Sequence, residues 1–186
     1  MTLLGEKDDG LMRSLGVIAL AFAVIAAAAS VHAEVPKQLE PLTFLLGEWE
    51  AAGEGQPGQG TGTAAFALAL QDRVIIRTSY AVYPASKTAP ASRHDDLMVI
   101  YAGEGGALRA DYYDNEGHVI NYMVTVTAPG EASFVSEIAS GAPRFRLSYK
   151  LGPDGLLKGE FAVAPPGKPD AFARYLVWES RKAAVH

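Results

Sequence analysis

The stretch FLLGEWE, residues 44–50, decides the fold of this chain. A short apolar turn leads into a Gly-x-Trp, and a glycine-dotted extended segment follows it. Most of what comes after consists of segments with strand composition that are separated by turn residues, whereas helical periodicity is almost absent. We therefore interpret residues 44–50 as the entrance and first strand of a small antiparallel β-barrel.

The leucines before this strand have helical spacing. After Pro41, Leu42, Leu45 and Leu46 follow one another at intervals that suit one or two helical turns. Gly47 then occupies the position where a glycine commonly ends a helix. We expect this short turn to close one end of the barrel with its leucines.

Ten segments with strand character follow one another along the chain, at a spacing of roughly 8–14 residues. They are residues 48–54, 61–70, 73–83, 94–101, 107–113, 118–127, 132–138, 144–151, 156–164 and 172–181. The turns between them are rich in Gly, Pro, Asp and Asn, which are the residues that tight turns require. This order predicts an all-β fold, an up-and-down antiparallel barrel of about ten strands, in which closure removes open sheet edges.

Several of these segments alternate between apolar and polar residues, so one face is buried and the other is wet. In segment 144–151 the apolar face consists of Phe145, Leu147, Tyr149 and Leu151. In segment 118–127 it consists of Ile120, Tyr122, Val124 and Val126. In segment 61–70 we expect one face to carry Phe66, Leu68 and Leu70.

Residues 1–33 have the features of a secretory signal peptide. Arg13 precedes an apolar run at 15–29, and small residues follow up to Ala33. We therefore expect one barrel domain at 34–186, in the periplasm or secreted, with no stable membrane anchor after cleavage. Because acidic residues precede Arg13, which is unusual for a signal peptide, Met12 is an alternative start.

The alternative reading of the run at 15–29 is a retained membrane anchor. The run is shorter than the roughly 20 apolar residues that cross a bilayer. The signal peptide is therefore the reading that we favour.

The composition excludes several classes of site. The 186 residues include no cysteine, so the fold uses no disulfide, Cys zinc site or thiol nucleophile. A formal net charge of −5 without a basic stripe argues against a nucleic-acid partner. The sequence also contains no nucleophile elbow and no phosphate-binding loop that leads into a helix.

The leader has the form Leu-x-x-Leu-x-Gly-x-Trp, made by Leu42, Leu45, Gly47 and Trp49. With its glycine-rich continuation it resembles the calycin superfamily, and most closely the nitrobindin-like proteins and a family of lipocalin-like secreted bacterial proteins. The strand–turn–strand with Asp114 and Gly117 also resembles that bacterial family. The resemblance implies a barrel with an internal or mouth-accessible cavity, and an arginine of the last strand, Arg174 or Arg181, packed over Trp49.

Nitrobindin-like proteins hold haem in such a cavity through a histidine on a late strand. Here the predicted last strand, 172–181, carries no histidine, and His186 lies beyond it. We therefore expect no haem and no other cofactor.

His94 and His118 stand at the starts of predicted strands, each beside acidic residues. If both faced one mouth they would suit metal binding or acid–base chemistry, although a metal usually requires three protein ligands. The plainer interpretation is two histidines in ordinary rim turns. Asp114 and Glu116 fall in a turn, where such side chains hydrogen-bond to the backbone, and this favours a structural role over paired catalytic carboxylates.

Tyrosines and arginines supply the remaining candidates. Strand tyrosines suit either a cavity wall with polar tips or a packed core. An inward arginine would anchor a ligand carboxylate, whereas an outward arginine, the commoner case, is solvated. The candidate ligand-binding residues are Trp49, Arg77, Tyr80, Arg109, Tyr112, His118, Tyr122 and Tyr149.

Three functions remain open at this point. The leading hypothesis is binding of a small, largely apolar molecule in the barrel, without catalysis. One alternative is a barrel isomerase or hydrolase that uses His94, His118 and a carboxylate. The other is an interaction module of the cell envelope that uses the rim loops at 84–92 and 165–169. The sequence assigns no catalytic and no metal-binding residue.

Overall fold

The computed structural model describes residues 35–51, 60–87 and 90–184. These residues form an all-β fold with ten strands. The strands are β1 (Gly47–Ala51), β2 (Thr61–Ala69), β3 (Val74–Tyr83), β4 (Ser92–Ala102), β5 (Leu108–Asp114), β6 (Val119–Ala128), β7 (Glu131–Ser136), β8 (Arg144–Leu151), β9 (Leu157–Ala164) and β10 (Ala173–Lys182). The predicted signal peptide and the alternative membrane anchor lie outside the described residues, among which no helix is long and apolar enough to cross a bilayer.

The ten strands close into a barrel in which each strand pairs with its neighbours in the sequence. β1 pairs antiparallel with both β2 and β10, and this last pairing closes the ring. The predicted up-and-down barrel is therefore confirmed, and all ten predicted strands are present with ends shifted by a few residues. Residues 52–54 of the predicted first strand lie outside the described residues.

Leu70 is the exception to the predicted faces. It does not share the inward face of Phe66, since it lies in the β2–β3 turn with 73% of its surface exposed. Leu70, Gln71 and Asp72 all have positive φ angles, of 53°, 56° and 63°. The chain therefore leaves the strand at Ala69 and reverses through three consecutive left-handed residues.

A 3₁₀ turn at Glu40–Leu45 closes one end of the barrel, as predicted. Leu39, Leu42 and Leu45 are fully buried beneath it. The indole Nε1 of Trp49 donates a hydrogen bond of 2.7 Å to the carbonyl oxygen of Leu45, which ties the turn to β1. We call this the plugged end, and the opposite end the rim.

The cation over Trp49 is not the one that the resemblance implied. Lys182 places its Nζ 5.5 Å from the centre of the Trp49 ring. Arg174 instead pairs with Glu160, and Arg181 lies 3.8 Å from the carboxylate of Glu50. The β-bulge between Arg174 and Leu176 shifts the register of β10, and Lys182 is the residue that pairs with Trp49 on the inner face.

The plugged half of the lumen is filled with side chains. Tyr149 stands at its centre, with edge-to-face contacts to Phe66, Phe134 and Trp178 at ring-centre distances of 5.7, 6.0 and 6.1 Å. Gly159 makes room for Trp178, because a Cβ atom there would lie 2.1 Å from the indole. This half is a packed core rather than a cavity.

Candidate functional site

Arg77 crosses the lumen of the barrel. It points inward from β3, and its Nη1 donates a hydrogen bond of 2.5 Å to the hydroxyl of Tyr149 on β8. β3 and β8 are diametrically opposite strands in the ring of ten. The Arg77–Tyr149 bridge therefore separates the packed half from the part of the lumen nearer the rim, which we call the upper compartment.

Arg77 is also held by a buried ion pair. Its Nη2 donates to the carboxylate of Asp96 on the next strand, β4. Burial acts to lower the pKa of Arg77, but Tyr149 and Asp96 outweigh it and raise the pKa further above its ordinary value. The Nε atom of the same guanidinium is buried and has no hydrogen-bond partner among the described residues. The sequence-based expectation that this arginine faces solvent was thus wrong, because the side chain finds its counter-ion inside the barrel.

His94 continues this polar arrangement towards the rim. Its Nδ1 donates to the Glu116 carboxylate at 3.0 Å, while its Nε2 lies 3.0 Å from the Tyr112 hydroxyl and 3.8 Å from the Asp96 carboxylate. The imidazole is therefore oriented on one side by a carboxylate and contacts a phenol on the other. Since both ring nitrogens are engaged, His94 presents no free nitrogen to a haem iron.

The β5–β6 hairpin supplies further polar side chains next to His94. Asp114 accepts hydrogen bonds from the backbone N–H groups of Glu116 and His118 at 3.0 and 2.9 Å. Its second oxygen accepts from His118 Nδ1 at 2.8 Å and from the Tyr112 hydroxyl at 3.3 Å. The predicted turn role of Asp114 is confirmed, and the same carboxylate joins the rim histidine to the lumen. We call these residues the lumen cluster: Arg77, His94, Asp96, Tyr112, Asp114, Glu116, His118 and Tyr149.

The tyrosines of the lumen act as hydrogen-bonding phenols rather than phenolates. Burial raises the pKa of Tyr112, Tyr122 and Tyr149 above its ordinary value. Each hydroxyl therefore keeps its proton at neutral pH and has only one to donate. Tyr112 consequently donates either to Asp114 or to His94 Nε2, and it can donate to only one of them at a time.

An apolar wall faces the polar groups in the upper compartment. Ile120, Phe145 and Phe161 are partly buried and pack against the core. The rings of Phe145 and Phe161 are stacked, with centres 5.8 Å apart. These three side chains, like His94, are partly exposed to solvent.

The structure brings together some of the predicted ligand-binding residues and separates others. Arg77, Tyr112 and Tyr149 meet in the lumen cluster, Tyr122 packs beside it, and His118 joins it through Asp114. Trp49 lies in the packed half near the plug.

Two predicted residues lie outside the lumen. Tyr80 faces outward, where Arg93 stacks over its ring at 4.2 Å. Arg109 pairs with Glu137 at 2.7 Å on the surface. Strand alternation explains both positions, since the neighbours of Tyr80 in β3 and of Arg109 in β5 face inward.

The sequence reasoning missed Asp96, which it treated only as a neighbour of His94. The signal was present, because His94, Asp96 and Met98 alternate along one face of β4 and Met98 is apolar. Alternation therefore places an aspartate on the inner face and requires a buried partner for it. No group of three or more His, Asp or Glu side chains has a metal-binding arrangement within the described ranges.

A cleft of about 880 Å³ also lies along the wall formed by β7–β10. Its charged lining residues are already paired with one another in four ion pairs. These are Glu131–Lys150, Arg146–Glu160, Arg174–Glu160 and Lys158–Glu179. The cleft thus presents a solvated charged surface, whereas the lumen cluster links the buried side chains of Arg77, Asp96 and Tyr149 to more exposed groups at the rim.

No protein-family model matches this chain, and no curated protein is significantly similar to it.

Proposed function

We propose that this protein binds a small, largely apolar molecule in the upper compartment of its barrel. The observation that supports this most strongly is the bridge of Arg77 to Tyr149, which gives the compartment a polar floor opposite the apolar wall of Phe145 and Phe161. Ligand sites in proteins typically combine apolar walls with a few converging polar groups. Because the half below the bridge is packed, we place the proposed ligand between the bridge and the rim.

Native mass spectrometry of the protein purified from its own host tests this proposal. Ala81 lies on the inner face of β3, beside His94 in the register, so Ala81→Trp fills the upper compartment. Thr78→Trp adds the same ring on the exposed face of that strand and is the matched control. We expect a stoichiometric extra mass on the wild type and on Thr78→Trp, and its loss from Ala81→Trp. A bare polypeptide mass for the wild type, or an extra mass that Ala81→Trp retains, would contradict the proposal.

A second candidate function is proton transfer on a bound molecule. It is favoured by His94, whose ring is oriented by Glu116 and contacts the Tyr112 hydroxyl. An imidazole held by a carboxylate on one side suits general acid–base catalysis near neutral pH. His94 and His118 lie at the same end of the barrel, where hydrogen bonds through Tyr112 and Asp114 connect them.

Exchange of carbon-bound protons distinguishes this candidate from simple binding. With acetylnaphthalene in heavy water, an acid–base site would catalyse deuterium uptake at the methyl group, measured by proton NMR. We expect that uptake to disappear in His94→Gln and to persist in His118→Gln, whose ring lies at the surface. Equal uptake with the wild type and His94→Gln would exclude His94 as the base.

We propose further that the protein acts outside the cytoplasm and belongs to the calycin-like barrels. The signal-like segment at 1–33 supports the location, and the closed ten-stranded barrel with a plug beneath Leu45 and Trp49 supports the family. Fractionation of host cells with an antibody against the barrel tests the location. Recovery of the protein in the cytoplasmic fraction would contradict it.

A further inference from the structure

We infer that the outer wall of strands β4–β6 is an interface at which two copies of this chain associate face to face. The inference concerns the outside of the barrel and does not depend on a ligand in the lumen. Its centre is a set of exposed apolar side chains, which we call the wall patch: Leu97, Tyr113, Val119 and Met123.

The barrel itself does not cover the wall patch, whose four side chains leave 38% to 62% of their surfaces exposed. Leu97 lies directly opposite Tyr113, which in turn lies directly opposite Val119. These three side chains therefore form one row across three strands. Met123 follows on the same face of β6, four residues beyond Val119. Single exposed apolar residues are ordinary, whereas a contiguous apolar patch marks an interaction site.

The polar side chains beside the row already have partners. Between the row and Met123, the side-chain amide of Asn121 donates a hydrogen bond of 2.7 Å to the carboxylate of Asp111. Arg109 pairs with Glu137, also at 2.7 Å. A molecule that covers this wall therefore buries groups that are already hydrogen-bonded, and this reduces the usual cost of burying polar groups.

The closed ring and the size of the patch determine the kind of contact. Closure of the ten described strands leaves no free strand edge, so a partner must pack against the face of the sheet. Three strands about 4.8 Å apart, and five residues of β6 at about 3.4 Å each, span a few hundred Å² once side chains are included. That area matches the apolar core of a standard protein interface, in which a polar border completes about 800 Å² per partner.

The charges on this wall favour a second copy over a membrane surface. Strands β4–β6 contain no lysine, and their two arginines, Arg93 and Arg109, are paired with Asp95 and Glu137. An anionic lipid surface attracts apolar groups that are flanked by free cations, and these described strands offer none. The apolar run at 15–29 is not the occupant either, because it leaves with the proposed signal peptide. A second copy presents the same apolar row and ion pairs of both signs, as a two-fold interface requires.

Sedimentation-velocity ultracentrifugation of the protein purified from its own host tests the interface. We expect a concentration-dependent dimer for the wild type, and a dissociation constant at least about tenfold higher for Val119→Asp, which corresponds to about 1.4 kcal/mol. Val177→Asp is the matched control, since it makes the same change at an exposed valine of β10, across the ring from β5. This variant should dimerise like the wild type. A monomeric wild type, a Val119→Asp protein that dimerises as tightly as the wild type, or equal weakening by both variants would overturn the inference.

Oxidation of Met123 by dilute hydrogen peroxide locates the interface without a substitution, and it decides the inference if Val119→Asp does not fold. The thioether is converted to a sulfoxide at a rate that depends on its exposure to solvent. We expect the oxidation of Met123, measured by peptide mass spectrometry against free methionine, to slow as the wild type passes from monomer to dimer. Met98, which is fully buried, should stay protected in both states. An oxidation rate of Met123 that does not change on dimerisation would place the interface elsewhere and overturn the inference.

Discussion

Arg77 shows how a single charged residue organises the lumen. A buried arginine is tolerated only when its charge is paired and its donors are largely satisfied. Here Asp96 supplies the charge from the neighbouring strand and Tyr149 supplies an acceptor from the opposite wall. Arg77 therefore ties β3 to both β4 and β8 through a single side chain.

Removal of Asp96 should destabilise the fold more than removal of an exposed aspartate. Asp96→Ala leaves the charge of Arg77 buried and uncompensated, and we expect a loss of about 3–5 kcal/mol in the free energy of unfolding. Urea denaturation of the wild type and of Asp96→Ala measures this loss. The double variant Arg77→Met with Asp96→Ala should lose less than the sum of the two single losses.

The neighbouring residue provides the control for this measurement. Asp95 pairs with Arg93 at 2.8 Å on the outer face, with about half of each side chain exposed. Asp95→Ala should therefore cost much less stability than Asp96→Ala, because exposed ion pairs contribute little. Equal losses for Asp95→Ala and Asp96→Ala would mean that the lumen pair is not buried as described.

Asp114 should make the fold sensitive to acid. Burial acts to raise the pKa of this carboxyl, but the backbone N–H groups of His118 and Glu116 and the His118 ring outweigh it and hold the pKa below its ordinary value. Its contribution to stability is complete above about pH 4, the ordinary value for aspartate, and is lost as the pH falls through the lower folded value. The melting temperatures of wild type and Asp114→Asn should therefore differ at neutral pH and converge in acid. A gap that does not narrow on acidification would refute this role.

At the scale of the element, the β2–β3 turn carries backbone strain. Three consecutive non-glycine residues, at positions 70–72, have positive φ angles, and each such residue costs roughly 1–2 kcal/mol relative to glycine. Gln71→Gly should raise the free energy of unfolding by about 1 kcal/mol, measured by thermal denaturation. A change to glycine in a regular strand, Thr78→Gly, should lower the free energy of unfolding. If both substitutions, or neither, stabilise the protein, the β2–β3 turn is not strained.

The 3₁₀ turn should stabilise the barrel through its leucines. Leu42 is fully buried, so Leu42→Ala removes core contacts and leaves a cavity. We expect a cost of about 2–5 kcal/mol in chemical denaturation. Thr43→Ala, on the exposed side of the same turn, should cost about 1 kcal/mol or less through its hydrogen bond to the Glu40 carbonyl. Similar costs for the two variants would show that the turn does not plug the barrel.

At the scale of the whole molecule, the sequence predicts the features that follow from local patterns. It does not predict those that depend on contacts between distant parts of the chain. Alternation and turn residues are local signals, which is why the strands, the plug and the inward face of β8 were predicted. The lumen contacts depend on closure of the ring, since Arg77 and Tyr149 lie 72 residues apart in the chain. The link from His94 to Glu116 spans 22 residues and two strands. Alternation along β4 does indicate that Asp96 faces inward, but its ion pair with Arg77 and the bond from Arg77 to Tyr149 are not visible in any local pattern.

The register shift in β10 illustrates the same limit. A β-bulge between Arg174 and Leu176 changes which residues of the strand face inward beyond it. The amino-acid pattern of this strand does not predict the bulge, so an arginine was expected over Trp49. In the structure that place belongs to Lys182.

The most direct test of a ligand in the lumen is a crystal structure of the protein purified from its own host. We predict electron density for a non-polypeptide molecule in the upper compartment, with apolar atoms against Phe145 and Phe161. An upper compartment that holds only ordered water, or that is filled by the protein's own side chains, would contradict the proposal.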